Sequence, residues 1–250
     1  MSDFSLSDTR ALVVGASRGI GRGVAEAFAD AGASVALAAR STDALEDLAA
    51  QLPGEVLPLA CDVRDTASVD ACVEEAVASF GGLEAAVVSA GTIARGPVTE
   101  ATDEDFERVV DVNLVGSMRV ARASLPHLAA GERGALVFIS SEVGERGIPD
   151  LPVYTASKGG QNALTRQLAI QHADEGVTVN AIAPGTTKTS INEEVRREDP
   201  TWVDERSEQI PMGRLGEPED VAAVATLLAA EAGDYITGEV IAVDGGTTAR

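Results

Sequence analysis

The sequence contains few of the residues that carry disulfide, metal or histidine chemistry. Its 250 residues include two cysteines and two histidines. Cys61 and Cys72 are unclustered and lack metal-ligand spacing, so the sequence predicts neither a disulfide scaffold nor a zinc site. His127 and His172 are interpreted as helix-surface residues. The N-terminal stretch lacks the features of a signal peptide, and no apolar run reaches eighteen residues, so we expect a cytoplasmic protein that does not span a membrane.

Lysine is also scarce. It occurs only at positions 158 and 188, so the other seventeen of the 19 basic residues are arginine, and the net charge is −21. Such a charge opposes binding to nucleic acid or to an anionic membrane. Abundant acids with almost no lysine are typical of a protein from a high-salt cytoplasm, where screening removes most of the self-repulsion. An ordinary acidic protein is the alternative.

Short apolar runs alternate with longer amphipathic segments along the whole chain. This alternation predicts one α/β domain over residues 1–250, with a parallel sheet that is buried on both faces. The polar segment 186–216 interrupts the series, which predicts a lid or binding loop, with a disordered excursion as the alternative. The expected strands are 11–16, 34–39, 55–61, 83–90, 134–141, 177–184 and 239–245, and the expected helices are 20–31, 43–51, 67–80, 103–129, 153–174 and 218–230.

A glycine-rich turn, GASRGIGRG, follows the first expected strand and opens the first expected helix. Gly15, Gly19 and Gly21 let the turn adopt positive φ and let backbone N–H groups approach an anion closely. The helix from Ile20 directs its partly positive N-terminus at the same point. In this strand–turn–helix position the pattern predicts dinucleotide binding.

The end of the second strand bears on which dinucleotide is bound. Enzymes that select NAD place an acid there to hold the ribose 2′-hydroxyl. This chain has Ala39 at that position, followed by Arg40, and Arg18 lies in the glycine turn. Two cations and no carboxylate suit a 2′-phosphate, so we expect NADP(H), although either arginine could be a plain surface cation. Asp62 is a candidate for the adenine amino group, with a helix N-cap role near Thr66 as the alternative.

Tyrosine, like lysine, is scarce and occurs only at positions 154 and 235. One tyrosine and one lysine fall within the five-residue stretch YTASK. On a helix, Tyr154 and Lys158 are four residues apart and share one face. A phenol has a pKa near 10 in water, and a neighbouring ammonium is expected to lower the pKa of Tyr154. The pair therefore predicts proton transfer near neutral pH.

These motifs together resemble the compact single-domain branch of the short-chain dehydrogenase/reductase family from Arg10 to Gly246. The resemblance implies a Rossmann fold with a seven-stranded parallel sheet in the order 3-2-1-4-5-6-7, and a homotetramer. Two departures remove hydrogen-bonding groups, namely Val14 before the first glycine and Val88-Ser89 in the fourth strand, and altered stability is expected from them. The motifs are GASRGIG, CDV at 61–63, VSAG at 88–91, VN at 112–113, ISS at 139–141, YTASK, VNAIAPG at 179–185, GRLGEPEDVA at 213–222 and VDGG at 243–246.

The resemblance also implies roles for individual residues. Tyr154 is the general acid in reduction, Lys158 holds the nicotinamide ribose, and Ser141, rather than Ser140, binds the substrate carbonyl. Asn113 holds a water for a proton relay, with a buried structural amide as the alternative. Thr189 fits the family's threonine better than Thr187, and both could instead cap the lid helix. The full expected cofactor set is Gly15, Ser17, Arg18, Gly19, Ile20, Gly21, Arg40, Asp62, Val63, Ala90, Gly91, Tyr154, Lys158, Pro184, Gly185, Thr187 and Thr189.

For the substrate, the whole-chain pattern is most similar to 3-oxoacyl thioester reductases. Forms that use an acyl carrier protein dock this acidic partner on basic residues before the fifth and sixth strands. This chain has Glu132, beside Arg133, and Glu175 at those places. A coenzyme A thioester is therefore favoured over a carrier-protein substrate. A sugar or small-alcohol dehydrogenase and a non-catalytic NADP(H)-binding regulator remain as alternatives.

Overall fold

A computed structural model describes residues 4–249 of the chain. Seven parallel strands form one sheet in the order β3-β2-β1-β4-β5-β6-β7, which confirms the expected topology. The central strands consist almost wholly of apolar residues, and every residue of β5 is buried, as expected for a sheet covered on both faces. The strands are β1 Arg10–Val14, β2 Ser34–Ala39, β3 Val56–Ala60, β4 Ala85–Val88, β5 Gly134–Ile139, β6 Val177–Pro184 and β7 Val240–Val243.

The helices pack on both faces of this sheet. They are α1 Gly19–Asp30, α2 Asp43–Ala49, α3 Thr66–Phe80, α4 Asp103–Val110, α5 Gly116–Leu128, α6 Pro152–His172, α7 Glu193–Glu198, α8 Trp202–Glu208 and α9 Pro218–Ala229. One core cluster contains Phe28 of α1 and Leu228 of α9, and the other contains Val73 of α3 and Leu125 of α5. Alternate residues of the central strands enter opposite clusters, as the two-residue period of a strand requires.

The expected long helix over residues 103–129 is in fact three segments. A π-helical turn, Asp111–Val115, lies between α4 and α5. Single π turns inside helices are frequent at functional sites, because they turn one backbone carbonyl away from the regular ladder. The expected strands also extended too far at several ends. In particular, β5 ends at Ile139, so Ser141 lies beyond the strand and precedes the 3-10 turn Glu142–Gly144.

The segment 186–216 carries the short helices α7 and α8 rather than an irregular excursion. It begins and ends on paired backbone, because Lys188 N–H donates to the carbonyl of Gly216 and Gly216 N–H donates to that of Thr186. Ile210 of this segment is buried, and a side chain at Gly245 would collide with it. The segment is therefore anchored to the main domain at both of its ends.

The two cysteines, which looked unclustered in the sequence, are brought together by the fold. Cys61 follows β3 and Cys72 lies in α3, both are buried, and their thiols are close enough to act on each other's pKa. Within residues 4–249, none of the helices has the length and apolar character needed to cross a membrane.

Candidate active site

The glycine turn lies where the carboxyl ends of β1 and β4 meet. Gly15 has φ of +92°, and a Cβ placed there would lie 2.6 Å from the backbone nitrogen of Ala90. A Cβ at Gly21 would overlap the carbonyl oxygen of Gly15. These positions therefore accept only glycine, and they leave exposed backbone at the start of α1. This cradle and the positive helix terminus fit the pyrophosphate of a nicotinamide dinucleotide.

Of the two predicted cations, one lies in this turn and the other lies in the turn after the neighbouring strand β2. Gly15 and Ala16 donate their N–H groups to the carbonyl of Ala38, which fixes the turn against the end of β2. Arg18 precedes α1 and Arg40 follows β2, and both are exposed. Arg18 also lines a cleft of about 360 Å³ between α1 and the first residues of the segment 186–216. Ser17 and Ile20 complete the turn as half-buried residues.

Asp62 lies at the end of β3, beside the buried Val63. Its carboxylate accepts from Arg64 N–H at 3.0 Å, and its own N–H donates to Ser68 Oγ at 2.9 Å. The N-cap of α3 is Asp65, whose carboxylate accepts from Ala67 N–H, so the alternative of an N-cap role for Asp62 is wrong. Asp62 is left half-buried at the edge where an adenine would lie.

The far wall of the site comes from the segment after β6. Pro184 ends that strand, and Gly185 packs so closely on Asp244 that a Cβ would lie 2.8 Å from the Asp244 Cα. Thr187 is buried, and its hydroxyl donates to the carbonyl of Gly185 at 3.1 Å. Thr189 lies against Gly19 of the glycine turn. It is also the N-cap residue of the 3-10 turn Ser190–Asn192, so the capping alternative holds for Thr189 and not for Thr187.

Three catalytic candidates converge beyond the end of β5. The hydroxyl of Ser141 lies close enough to the phenol of Tyr154 to act on its pKa. The Nζ of Lys158 lies 5.8 Å from the centre of the Tyr154 ring, on the same face of α6. The neighbouring Ser140 points elsewhere, because its hydroxyl bonds to Asn162 Oδ1 at 2.5 Å. The choice of Ser141 over Ser140 therefore agrees with the geometry.

Burial controls the acidity of this group. It raises the pKa of Tyr154 above its ordinary value, against the opposing effects of the Ser141 hydroxyl and the Arg95 guanidinium. Burial also lowers the pKa of Lys158 to about 7. The expectation that Lys158 lowers the pKa of Tyr154 is therefore not met in this structure, because the ammonium loses its own charge near neutrality.

Asn113 lies in the π turn, fully buried, and its amide is paired on both ends. Its Oδ1 accepts from Thr92 N–H at 2.8 Å, and its Nδ2 donates to the Thr92 carbonyl at 2.9 Å and to Ser157 Oγ at 3.0 Å. The amide thus fixes the loop after β4, which includes Gly91, against the catalytic helix. The side chain of Asn113 therefore has the contacts expected of a buried structural amide. Its main-chain carbonyl accepts hydrogen bonds from Ser117 and Gln161.

Three residues near the catalytic group were not predicted from the sequence. Gln161 bonds to the Lys158 ammonium at 3.1 Å. Arg95, an exposed residue, acts on the Tyr154 phenol. Glu142 is buried next to Ser141, with a pKa raised by burial and partly restored by Arg146, to which it bonds at 2.9 Å. For Gln161, the i,i+3 spacing from Lys158 on a helix was the available signal.

A glycine cradle for a dinucleotide and a Ser–Tyr–Lys group at the adjoining strand ends define an oxidoreductase of the Rossmann type. A family model described as Enoyl-(Acyl carrier protein) reductase matches residues 15–248. With this match over almost the whole sequence, the chain belongs to the short-chain dehydrogenase/reductase family.

Known relatives are similar over nearly their full lengths. Versicolorin reductase stcU of Emericella nidulans is 36% identical, over 98% of this chain and 97% of the relative. The 3-oxoacyl-[acyl-carrier-protein] reductase FabG of Thermotoga maritima is 35% identical, over 94% and 96%. The crystal structure of a short-chain type dehydrogenase/reductase from Mycobacterium marinum superposes with a TM-score of 0.92 at 35% identity, over 99% and 98% of the two chains.

Proposed function

We propose that this protein is an NADP(H)-dependent reductase that interconverts a carbonyl and a secondary alcohol, with a 3-oxoacyl thioester of coenzyme A as its substrate class. The observation that carries the proposal is the convergence on the Tyr154 phenol of the Ser141 hydroxyl and the buried Lys158, whose Nζ lies 5.8 Å from the centre of the tyrosine ring.

The chemistry follows from the protonation states of these groups. Bound NADPH supplies the hydride. Tyr154, whose raised pKa keeps the phenol protonated near neutral pH, donates its proton to the carbonyl oxygen. Ser141 donates a hydrogen bond to the same oxygen as negative charge develops there. Lys158 has one donor left for a ribose hydroxyl of the cofactor, and Gly15, Gly19 and Gly21 would hold the pyrophosphate.

Selectivity for NADP(H) is proposed from Arg18, in the glycine turn, and Arg40, after β2, two exposed arginines in a chain of net charge −21. Guanidinium groups bind phosphate in a bidentate manner. Asp62 and Val63 would border the adenine, and Ala90 and Gly91 would form the floor of the cofactor site. The nicotinamide side would be bordered by Pro184, Gly185, Thr187 and Thr189.

A thioester of coenzyme A is preferred to one on a carrier protein for reasons of charge. Glu132 and Glu175 are exposed, so they present acids to a carrier that is itself acidic. Arg133 is bound to Asp234 at 2.8 Å and is not a free cation for docking. We also propose that the enzyme is a cytoplasmic homotetramer.

One observation favours a second candidate, a sugar or small-alcohol dehydrogenase. The buried Glu142 follows Ser141 directly, and its carboxylate could accept hydrogen bonds from substrate hydroxyls. The same catalytic residues would serve either substrate, so the two candidates differ in specificity and not in mechanism.

The test is oxidation of NADPH and NADH in molar salt against acetoacetyl-CoA, diketones and aldoses. We expect acetoacetyl-CoA with NADPH to give the largest kcat/KM. Tyr154→Phe should lower kcat by about 10²- to 10⁴-fold, because it removes the proton donor, and should leave NADPH binding intact. Tyr235→Phe is the matched control, since the other tyrosine is fully exposed. Activity that survives in Tyr154→Phe would refute the mechanism, and a wild type that binds NADPH but reduces nothing would favour the regulator.

A further inference from the structure

The Lys158 ammonium is held by acceptors that the fold supplies from two different elements. The residue is 3% exposed. Its Nζ donates to the carbonyl of Ile139, at the end of β5, at 2.7 Å, and to Oε1 of Gln161 at 3.1 Å. An ammonium has three N–H donors, so one donor remains free. A Cβ at Gly91 would lie 4.0 Å from Nζ, so the glycine leaves room beside the ammonium.

Gln161 continues this contact into the interior. Its side chain is fully buried, and its Nε2 donates to Ser117 Oγ at 2.8 Å. Ser117 Oγ in turn donates to the carbonyl of Asn113, in the π turn, at 2.7 Å. In this series of hydrogen bonds every donor points the same way, from Lys158 through Gln161 and Ser117 to Asn113. Hydrogen bonds aligned in this manner polarise and strengthen one another.

No carboxylate in the described part of the chain bonds to this ammonium. Tyr154 on the same helix is the ionisable side chain that faces it, at 5.8 Å from the ring centre. On the loop after β4, Arg95 acts on the phenol. The charge of Lys158 therefore depends on neutral acceptors, of which Gln161 is the one that a substitution can remove.

We propose that Gln161 is a positioning residue for Lys158: through Ser117 and the π-turn carbonyl of Asn113, it holds the ammonium facing the phenol and leaves one N–H for the cofactor. The proposal rests on the proposed function only in taking Lys158 as the catalytic lysine. Its physical consequence is that Gln161 favours the charged lysine, because the amide oxygen bonds to the ammonium more strongly than to the neutral amine.

The chain allows a direct measurement, since it contains two lysines. In protein grown on ¹³C-labelled lysine, NMR shows two side-chain Cε signals, and Lys188→Arg assigns them. We expect the Lys158 signal of Gln161→Met to titrate about one to two pH units lower than in wild type, because a hydrogen bond to a charged group is lost. Gln161→Glu should move the titration above that of wild type. Both outcomes can be read without turnover.

The control is Thr165→Val, which alters another buried group on the same helix. Thr165 Oγ1 donates to the main-chain carbonyl of Gln161 and does not touch Lys158. The Lys158 titration of Thr165→Val should match that of wild type.

In the carbonyl-reduction assay at pH 8, Gln161→Met should lower kcat by about tenfold and change the KM of the carbonyl by less than about twofold.

An unchanged Lys158 titration in Gln161→Met, or an equal shift in Thr165→Val, would overturn the proposal. If Gln161→Met does not fold, Ser117→Ala decides, since it removes the next link and should lower the titration by a smaller amount. An unchanged Lys158 titration in Ser117→Ala would also overturn the proposal. Failure of every carbonyl substrate would refute the proposed function and leave the titration result standing.

Discussion

At the scale of single residues, Lys158 shows the cost of burying a charged group. The ordinary lysine pKa of 10.5 falls to about 7 in the fold, and the cause is loss of hydration around the ammonium. Below pH 7 the lysine is charged in both the folded and the unfolded protein, and the folded protein bears the full cost of burying it. Between pH 7 and 10.5 the unfolded chain binds more protons, so this residue makes stability rise with pH.

We therefore expect the stability of the wild type relative to Lys158→Met to rise between pH 6 and pH 9. The limiting slope is about 1.4 kcal/mol per pH unit, which corresponds to one proton. Urea denaturation of the cofactor-free protein at several pH values measures the difference. Lys188→Met is the control, because that ammonium is 39% exposed and paired with Glu217. A difference that is independent of pH would contradict the assigned burial cost.

Single residues also show where prediction from the sequence stops. Tyr154 and Lys158 could be proposed because two scarce residue types occur at helical spacing, and Ser141 because it has the family's spacing from the tyrosine. Gln161 was missed because glutamine is usually a surface residue, and only the packing of α5 against α6 places its amide beside the lysine. The same limit applies to acidity, since burial, which reverses the expected direction for Tyr154, depends on the whole fold.

At the scale of elements, the turns after β1 and β2 form the proposed determinant of cofactor choice. Backbone bonds from Gly15 and Ala16 to Ala38 hold these two turns together, and each turn carries one of the two proposed arginines, Arg18 and Arg40. The strand–turn–helix pattern was sufficient to predict this arrangement, because glycine at positive φ is required locally.

Replacement of both arginines by alanine is expected to raise the KM for NADPH by about 10- to 100-fold and to change that for NADH by less than threefold, because only NADPH carries the 2′-phosphate. Steady-state kinetics with each cofactor measure the change. Arg122→Ala, which alters an exposed arginine of α5, should have no effect. An equal loss with both cofactors, or a wild type that prefers NADH, would refute the assignment.

The break between α4 and α5 could not be predicted from the sequence. The amphipathic pattern of residues 103–129 is continuous, and the extra residue of a π turn leaves no signal in composition. Asn113 was noticed as a poor helix former, which is the one local indication that this region departs from an ordinary helix.

At the scale of the whole molecule, the alternation of strands and helices predicted a parallel sheet, and the family resemblance implied its strand order, which the structure confirms. The ends of strands and helices were less accurate, since they depend on caps and on tertiary contacts. The contact between Cys61 and Cys72 was not foreseen for the same reason, because a strand end and a helix meet only in the folded chain.

The charge of −21 belongs to the molecule as a whole, and it predicts a dependence on salt. We expect Tm to rise by about 10 °C or more between 0.1 M and 2 M KCl, as screening weakens the repulsion among the acids. Thermal denaturation monitored by circular dichroism measures the change. Light scattering on the same samples should give four times the chain mass of 25.6 kDa.

The control for this prediction is an uncharged osmolyte at matched osmolality, which should reproduce only a minor part of the increase. A Tm that is flat in KCl would identify the protein as an ordinary acidic one and would contradict the interpretation of its composition.

The π turn has a further consequence for the rotational phase of the long helix. One residue of an α-helix corresponds to about 100° of rotation, so the added residue turns every side chain of α5 by roughly that angle relative to a continuous helix. With this offset, Ser117 faces Gln161 on α6, while Val120 and Leu125 enter the core. Deletion of a single residue between 111 and 115 would restore a regular helix, and it would misalign the apolar and the polar sides of α5 together.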